Sequence, residues 1–318
     1  MGRSSTRGAP WTAGCRVGVV VRSGELAGSG AWSGACDTAT MNGPEPTSAL
    51  PRDFASLLAL EPHGPDTFVG VSPPYDWGRI FGGQVIAQAL WAAAETVPAS
   101  RSVHSLHAYF ILGGRLDEPV RYEVDRVRNG RSFMTRRVVA RQSYGAILTL
   151  EASFHLDEPG PDVETARAPS GVPGPDELPE RGWGWMLERR EVPTTPGAGR
   201  ALTWVRADAS VGDDPVRQAC ALAFATDTGT VTAVRALHPR GGSDGWSDDV
   251  FMGASLDHAV WFHRPVRTDR WVLIDVSTES LTGVRGLTIG RVFDDEGSHV
   301  ATVAQEALLR ERVAGEPS

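Results

Sequence analysis

The sequence predicts an α+β chain in which one plan is used twice: a long buried helix, then an antiparallel sheet that wraps it. Three observations carry this reading. Two segments of similar size each hold one strongly apolar helical pattern followed by several alternating strands. Asn-Gly and Asp-Asp-Glu-Gly turns separate those strands, as hairpin chemistry requires. A proline-rich stretch lies between the two segments.

Residues 1–40 are rich in Gly, Ser, Ala and Thr without a hydrophobic period, and read as a disordered leader or a mis-assigned start ahead of Met41. Their longest apolar stretch, Val17 to Val21, is too short for a signal-peptide core. The first half is expected over 54–158. It opens on the apolar run from Phe54 and has its helix over Gly82-Gly83-Gln84 to Glu95. Strands are expected over Ser105–Phe110, Val120–Val127, Ser132–Arg141 and Ala146–His155, with turns at Asn129-Gly130 and Gly145. From 159 to 200, prolines at 159, 161, 169, 173, 175, 179, 193 and 196 exclude central strands and helix interiors, so a linker is expected.

The second half is expected over 201–312. Asp214 is a plausible N-cap with Pro215 at the first helical position, and the helix runs to Phe224. Strands follow over Ser255–Phe262, Trp271–Val276, Gly286–Phe293 and Val300–Arg310. A repeat of this kind places the two units side by side, with one sheet continuing across their boundary.

Composition narrows the function. The 318 residues carry a net charge of −8, which argues against nucleic acid as the partner. No apolar run approaches the roughly 18 residues of a membrane-spanning helix, so integral membrane association is not expected. All 31 basic residues are arginine, which excludes lysine Schiff-base chemistry and the P-loop. The heavy use of Arg, Ala, Gly and Pro suggests a GC-rich bacterial genome. Three cysteines, Cys15, Cys36 and Cys220, make neither a disulfide framework nor a cysteine-rich metal site, and a reducing cytoplasm is the natural setting. No metal or cofactor is expected.

Among catalytic patterns, Gly253-Ala-Ser255-Leu-Asp257 begins like a nucleophile elbow but ends in Asp, with no helix pattern behind it. His104 and His107, and His258 and His263, are odd distances apart on strands, so neither pair chelates one metal, and structural roles are expected for them. Three polar residues resist a packing explanation. Asp227 closes a helix, where the macrodipole disfavours a carboxylate. Ser255 opens a strand. Gln305 interrupts an otherwise apolar strand, and a buried amide must be hydrogen-bonded.

The motifs Phe81-Gly-Gly-Gln-Val85, Val103-His-Ser-Leu-His-Ala-Tyr-Phe110, Asn129-Gly-Arg-Ser-Phe133 and Arg136-Arg137-Val138 resemble the type II acyl-CoA thioesterase (TesB-like) family. In the second half, Asp257-His-Ala-Val-Trp-Phe-His-Arg-Pro265 and Ala304-Gln-Glu306 continue the match. The resemblance implies a double hotdog fold and hydrolysis of fatty acyl-CoA, medium to long chain, by water held among an Asp, a Thr or Ser, and a Gln. Matched motif by motif, these are Asp227, Ser255 and Gln305. It implies oxyanion donors at a helix N-terminus, for which Gly82, Gly83 and Gln84 are candidates. Arginines should face the phosphates of coenzyme A; Arg136, Arg137, Arg264 and Arg285 are candidates. Association into a homo-oligomer is expected from the resemblance as well. The chain departs from the family where Phe110-Ile-Leu-Gly-Gly114 replaces Phe-Leu-Arg-Pro-Gly. A non-catalytic acyl-CoA sensor is the alternative from another class; a hotdog hydratase would need a Gly-Asp-x-Asn-Pro-like context that the chain lacks.

Overall fold

The computed structural model describes residues 50–181, 186–241 and 250–312; the expected leader lies outside the described residues. In chain order the elements are α1 (Phe54–Leu57), β1 (Glu61–Pro62), β2 (Thr67–Gly70), α2 (Gly82–Ala94), β3 (Arg101–Phe110), β4 (Val120–Asn129), β5 (Phe133–Gln142) and β6 (Gly145–Leu156). The second half follows with β7 (Leu187–Val192), β8 (Arg200–Ala207), α3 (Pro215–Thr226), α4 (Thr230–Leu237), β9 (Phe251–Ser255), β10 (Asp257–Phe262), β11 (Val272–Thr282), β12 (Arg285–Phe293) and β13 (His299–Glu311).

The strands form one antiparallel sheet in the order β1-β2-β4-β5-β6-β3-β10-β13-β12-β11-β8-β7, with β9 also on β13. Strands β3 and β10 pair from Asp257↔Tyr109 to Trp261↔Ser105, and this seam makes the two half-sheets continuous. Both main helices are rich in alanine: Ala87, Ala89, Ala92 and Ala93 of α2, and Ala219, Ala221, Ala223 and Ala225 of α3, are buried. Alanine favours the helix and keeps its surface low, so the sheet can close over it and the helices can approach each other. The two helices come into close contact where α2 begins. A Cβ on Gly83 would stand 2.4 Å from the Phe224 carbonyl oxygen, so only glycine fits there. The start of α2 therefore abuts the end of α3.

Three expectations need revision. The linker expected over 159–200 contains β7, which pairs with β8 as an edge strand. Its residues, Leu-Glu-Arg-Arg-Glu-Val, carry no proline and alternate in burial, and Pro193 follows only after the last pair. Helix α4 was not foreseen: Thr230-Val-Thr-Ala-Val is β-branched and reads poorly as helix. Gly229, with φ 87°, turns the chain between α3 and α4. Val234 of α4 then packs so closely on Gly286 that a Cβ there would lie 2.3 Å from it. Finally, Ser255 closes β9 instead of opening β10. Ser255 pairs with Ala307, whereas Ala259 pairs with Ala304, so one extra residue is inserted between them. This is a β-bulge, a device that re-aims side chains.

Candidate active site

Asp227 is the C-cap of α3, in a helical backbone conformation (φ −74°, ψ −3°). Its carboxylate is unfavourable against the end of its own helix, but it faces the start of another. The Gly83 N–H of α2 donates to it. A Cβ on Gly82 would stand 2.6 Å from Asp227 Oδ2 and 2.9 Å from the Phe110 ring, so the Gly-Gly pair lets backbone reach the carboxylate. The positive end of the α2 dipole then offsets the negative end of α3.

The carboxylate is buried, with 9% of Asp227 exposed. Burial pushes its pKa up from 3.8 to about 7, against the opposing pull of hydrogen bonds from Ser255, Gly83 and Gln305. Ser255 Oγ lies 3.1 Å from Asp227 Oδ1 and donates to it. Gln305 Nε2 donates to Ser255 Oγ at 2.7 Å. Gln305 sits midway along β13, fully buried, and its main-chain carbonyl accepts from Thr288 Oγ1 on β12. The bulge before Asp257 brings Ser255 into line with both. The three residues that packing alone did not explain thus form one connected cluster at the junction of α2, α3 and the second half-sheet.

Sequence reasoning missed one member of the surroundings. His258 is completely buried, with Nδ1 2.6 Å from Gln305 Oε1 and Nε2 3.0 Å from Thr226 Oγ1. Burial holds its pKa down at about 4, so the ring is neutral. The signal was available: β10 alternates, and an inward-facing His at 258, two before buried Val260, needs partners for both ring nitrogens.

The remaining candidates disperse. Gln84 is buried and its amide donates to Ser72 Oγ and Gln88 Oε1, so its side chain belongs to the core of the first half. Its backbone N–H bonds to the Phe81 carbonyl, whereas Gly82, at the first position of α2, has no intrahelical acceptor for its own N–H. Arg136 is 1% exposed and cannot face a phosphate; its guanidinium bonds Thr96 Oγ1 and O, the carbonyls of Arg128 and Thr135, and Asn129 Oδ1. Its two-before-buried-Val138 position on alternating β5 already placed it inward. Arg137 is exposed and paired with Asp125 at 2.8 Å. Arg264 is held by Asp162 and Glu164, and Arg285 by Glu306 at 3.2 Å. His104 bonds Ser153 Oγ, His107 packs edge-on to Trp261, and His263 meets Thr302 Oγ1.

Comparison with known proteins bears on both halves. Residues 71–155 match the acyl-CoA thioesterase N-terminal domain, and residues 160–309 match the acyl-CoA thioesterase C-terminal domain. Human acyl-coenzyme A thioesterase 8 is 32% identical over 297 residues, covering 82% of this chain and 91% of that protein. Acyl-CoA thioesterase 2 of Haemophilus influenzae is 32% identical over 289 residues, covering 83% and 99%. Among solved structures, the acyl-CoA thioesterase II TesB2 of Mycobacterium marinum superposes with a TM-score of 0.72 at 36% identity, covering 83% of this chain and all of that one. With both domain families matched in order, relatives aligned across most of their length and the continuous sheet described above, the chain belongs to the type II acyl-CoA thioesterase family and is a thioester hydrolase of double hotdog fold.

Proposed function

We propose that a water molecule held by Asp227, Ser255 and Gln305 attacks the thioester carbonyl of a medium- to long-chain fatty acyl-CoA, releasing free fatty acid and CoA. The observation that carries this reading is the buried carboxylate at the start of α2, with Ser255 at 3.1 Å and Gln305 Nε2 a further 2.7 Å on. A carboxylate with pKa about 7 is matched to general-base work near neutral pH, where such catalysis contributes about 10²–10⁴-fold. Asp227 takes the water's proton. Ser255 and Gln305 orient the water's lone pair toward the carbonyl carbon, so little freedom remains to be lost at the transition state. The oxyanion forms against the Gly82 N–H at the positive end of α2. The carbon–sulfur bond then breaks, and CoA leaves as a thiolate, which needs little help because a thiol pKa is about 8.5. No covalent acyl-enzyme is required.

For the phosphates of CoA, Arg137, Arg264 and Arg285 remain as candidates, and each would exchange a carboxylate partner for phosphate oxygens. A bacterial cytoplasm is the setting we assign, from the coding bias and the sparse cysteines, with a role in fatty acid metabolism and association into a homo-oligomer. The test is free CoA release from short-, medium- and long-chain acyl-CoAs by the wild type and Asp227→Asn. Loss of about 10²-fold or more in the variant is expected. Binding of acyl-CoA without turnover by the wild type would instead make the protein a sensor.

A further inference from the structure

We infer that His258 is a positioning residue for the hydrolytic water: its Nδ1–H fixes which end of the Gln305 amide faces Ser255. This rests on the assignment of Asp227, Ser255 and Gln305 proposed above.

Ser255 has a single hydroxyl proton and gives it to Asp227 Oδ1. Its oxygen must therefore accept from Gln305, which requires the NH₂ end of the amide, at 2.7 Å, to point toward Ser255. Gln305 Oε1 then faces His258 Nδ1 at 2.6 Å and can only accept, so Nδ1 carries the ring proton. A neutral ring protonated on Nδ1 leaves Nε2 as an acceptor, and Thr226 Oγ1, at 3.0 Å, is the donor in place. Thr226 also lies 3.1 Å from the Ala223 carbonyl, but one hydroxyl proton cannot serve both, and the bare Nε2 claims it. The chain runs Thr226 to His258 to Gln305 to Ser255 to Asp227, and closes through the Thr226–Asp227 peptide bond. Every donor points the same way round.

Remove the Nδ1–H and nothing in this chain holds Oε1. The amide is then free to turn over. Its oxygen would compete with Asp227 for the Ser255 proton, and the NH₂ group that orients Ser255 and the water would be lost. The fully buried ring of His258 is tolerated because both its nitrogens are satisfied. The pairing serves the hydrolytic site directly, since Gln305 is the only residue between His258 and Ser255 in the chain.

The experiment compares His258→Leu and His258→Asn with the wild type and Asp227→Asn, measuring kcat and KM on an acyl-CoA and unfolding in urea. Leucine fills the space without polarity, and asparagine keeps an N–H donor near the Nδ1 position. His258→Leu should lower kcat by about 10- to 100-fold with KM within about threefold, the size of effect that small misplacement of a reacting group produces. His258→Asn should recover most of that loss. Equal losses in the two variants, or a wild-type kcat in His258→Leu, would overturn the positioning role. A ¹⁵N spectrum of the wild-type imidazoles, with the His258 signal assigned by its absence in His258→Asn, supplies a readout that does not depend on a variant's folding: a neutral ring with its proton on Nδ1 supports the inference, and one with its proton on Nε2 refutes it. Asp227→Asn separates the two levels. If it turns over normally, the hydrolytic assignment itself fails; if it is inactive while His258→Leu is normal, only the role of His258 fails.

Discussion

Replacing Asp227 by Asn should make the protein more stable above neutral pH while it lowers turnover by about 10²-fold or more. The carboxyl has a pKa near 3.8 in the unfolded chain and about 7 when folded. A raised carboxyl pKa means that the folded state holds its proton more tightly. The contribution is fully favourable below pH 3.8 and is lost as pH rises through 7. Three pKa units correspond to about 4 kcal/mol of destabilisation once the folded carboxyl is ionised. Linkage places the smaller part of that loss below pH 5 and the larger part between pH 5 and pH 8. Asparagine does not ionise, and whatever its amide loses against the protonated carboxyl as a partner of Ser255 and Gly83, about 1 kcal/mol, is the same at every pH. The stability of Asp227→Asn relative to wild type should therefore increase by about 2–3 kcal/mol from pH 5 to pH 8, and groups common to both proteins cancel. Urea unfolding at the two pH values measures it, and kcat/KM of the wild type should rise tenfold per pH unit below about 7 before levelling. A stability difference that does not change with pH would refute the claim that this carboxyl is held proton-hungry by burial, and with it the match between base and working pH.

Two further outcomes follow from the geometry. Gly82→Ala places a methyl group 2.6 Å from Asp227 Oδ2, so the carboxylate must move; activity should fall about 10²-fold while circular dichroism stays native, and a normal rate would show the contact to be dispensable. Arg136→Met should leave KM for acyl-CoA unchanged and lower stability by about 3 kcal/mol, because Thr96, two strand carbonyls and Asn129 lose a buried donor; a raised KM with an unchanged urea midpoint would restore the phosphate-binding role.

What was legible in the sequence follows from how local its cause is. Helix α3 was readable to its first residue because Asp214 and Pro215 act within one turn, and Asp214 Oδ1 does accept from the Val216 N–H. Asp227 stood out because a carboxylate at a helix end is electrostatically wrong locally; its justification, the start of α2, lies over 140 residues away in sequence, at Gly83. The site's non-local parts were hidden for the same reason. Nothing near Ser255 announces the bulge, which exists only against β13. Arg136 was read by its charge and not by its inward register, and its partner Thr96 lies just beyond the end of α2. Helix α4 contradicts its own β-branched propensity and is held by the sheet beneath it.

The abutment of α2 on α3 has a consequence for how the duplicated chain divides its labour. At one end of the helix pair, Gly83 presents its backbone N–H to a carboxylate and Gly82 leaves room for it. At the other end, α3 begins with Asp214, whose own side chain caps Val216, and Pro215, which has no N–H to offer. Just beyond the end of α2, Arg136 occupies the interior and ties down Thr96. A symmetric dimer of identical units would have to keep both ends alike. Two units joined in one polypeptide are free of that constraint, so on the function proposed above one end serves reaction and the other cohesion. Each chain should accordingly titrate with a single equivalent of a tight-binding thioester analogue.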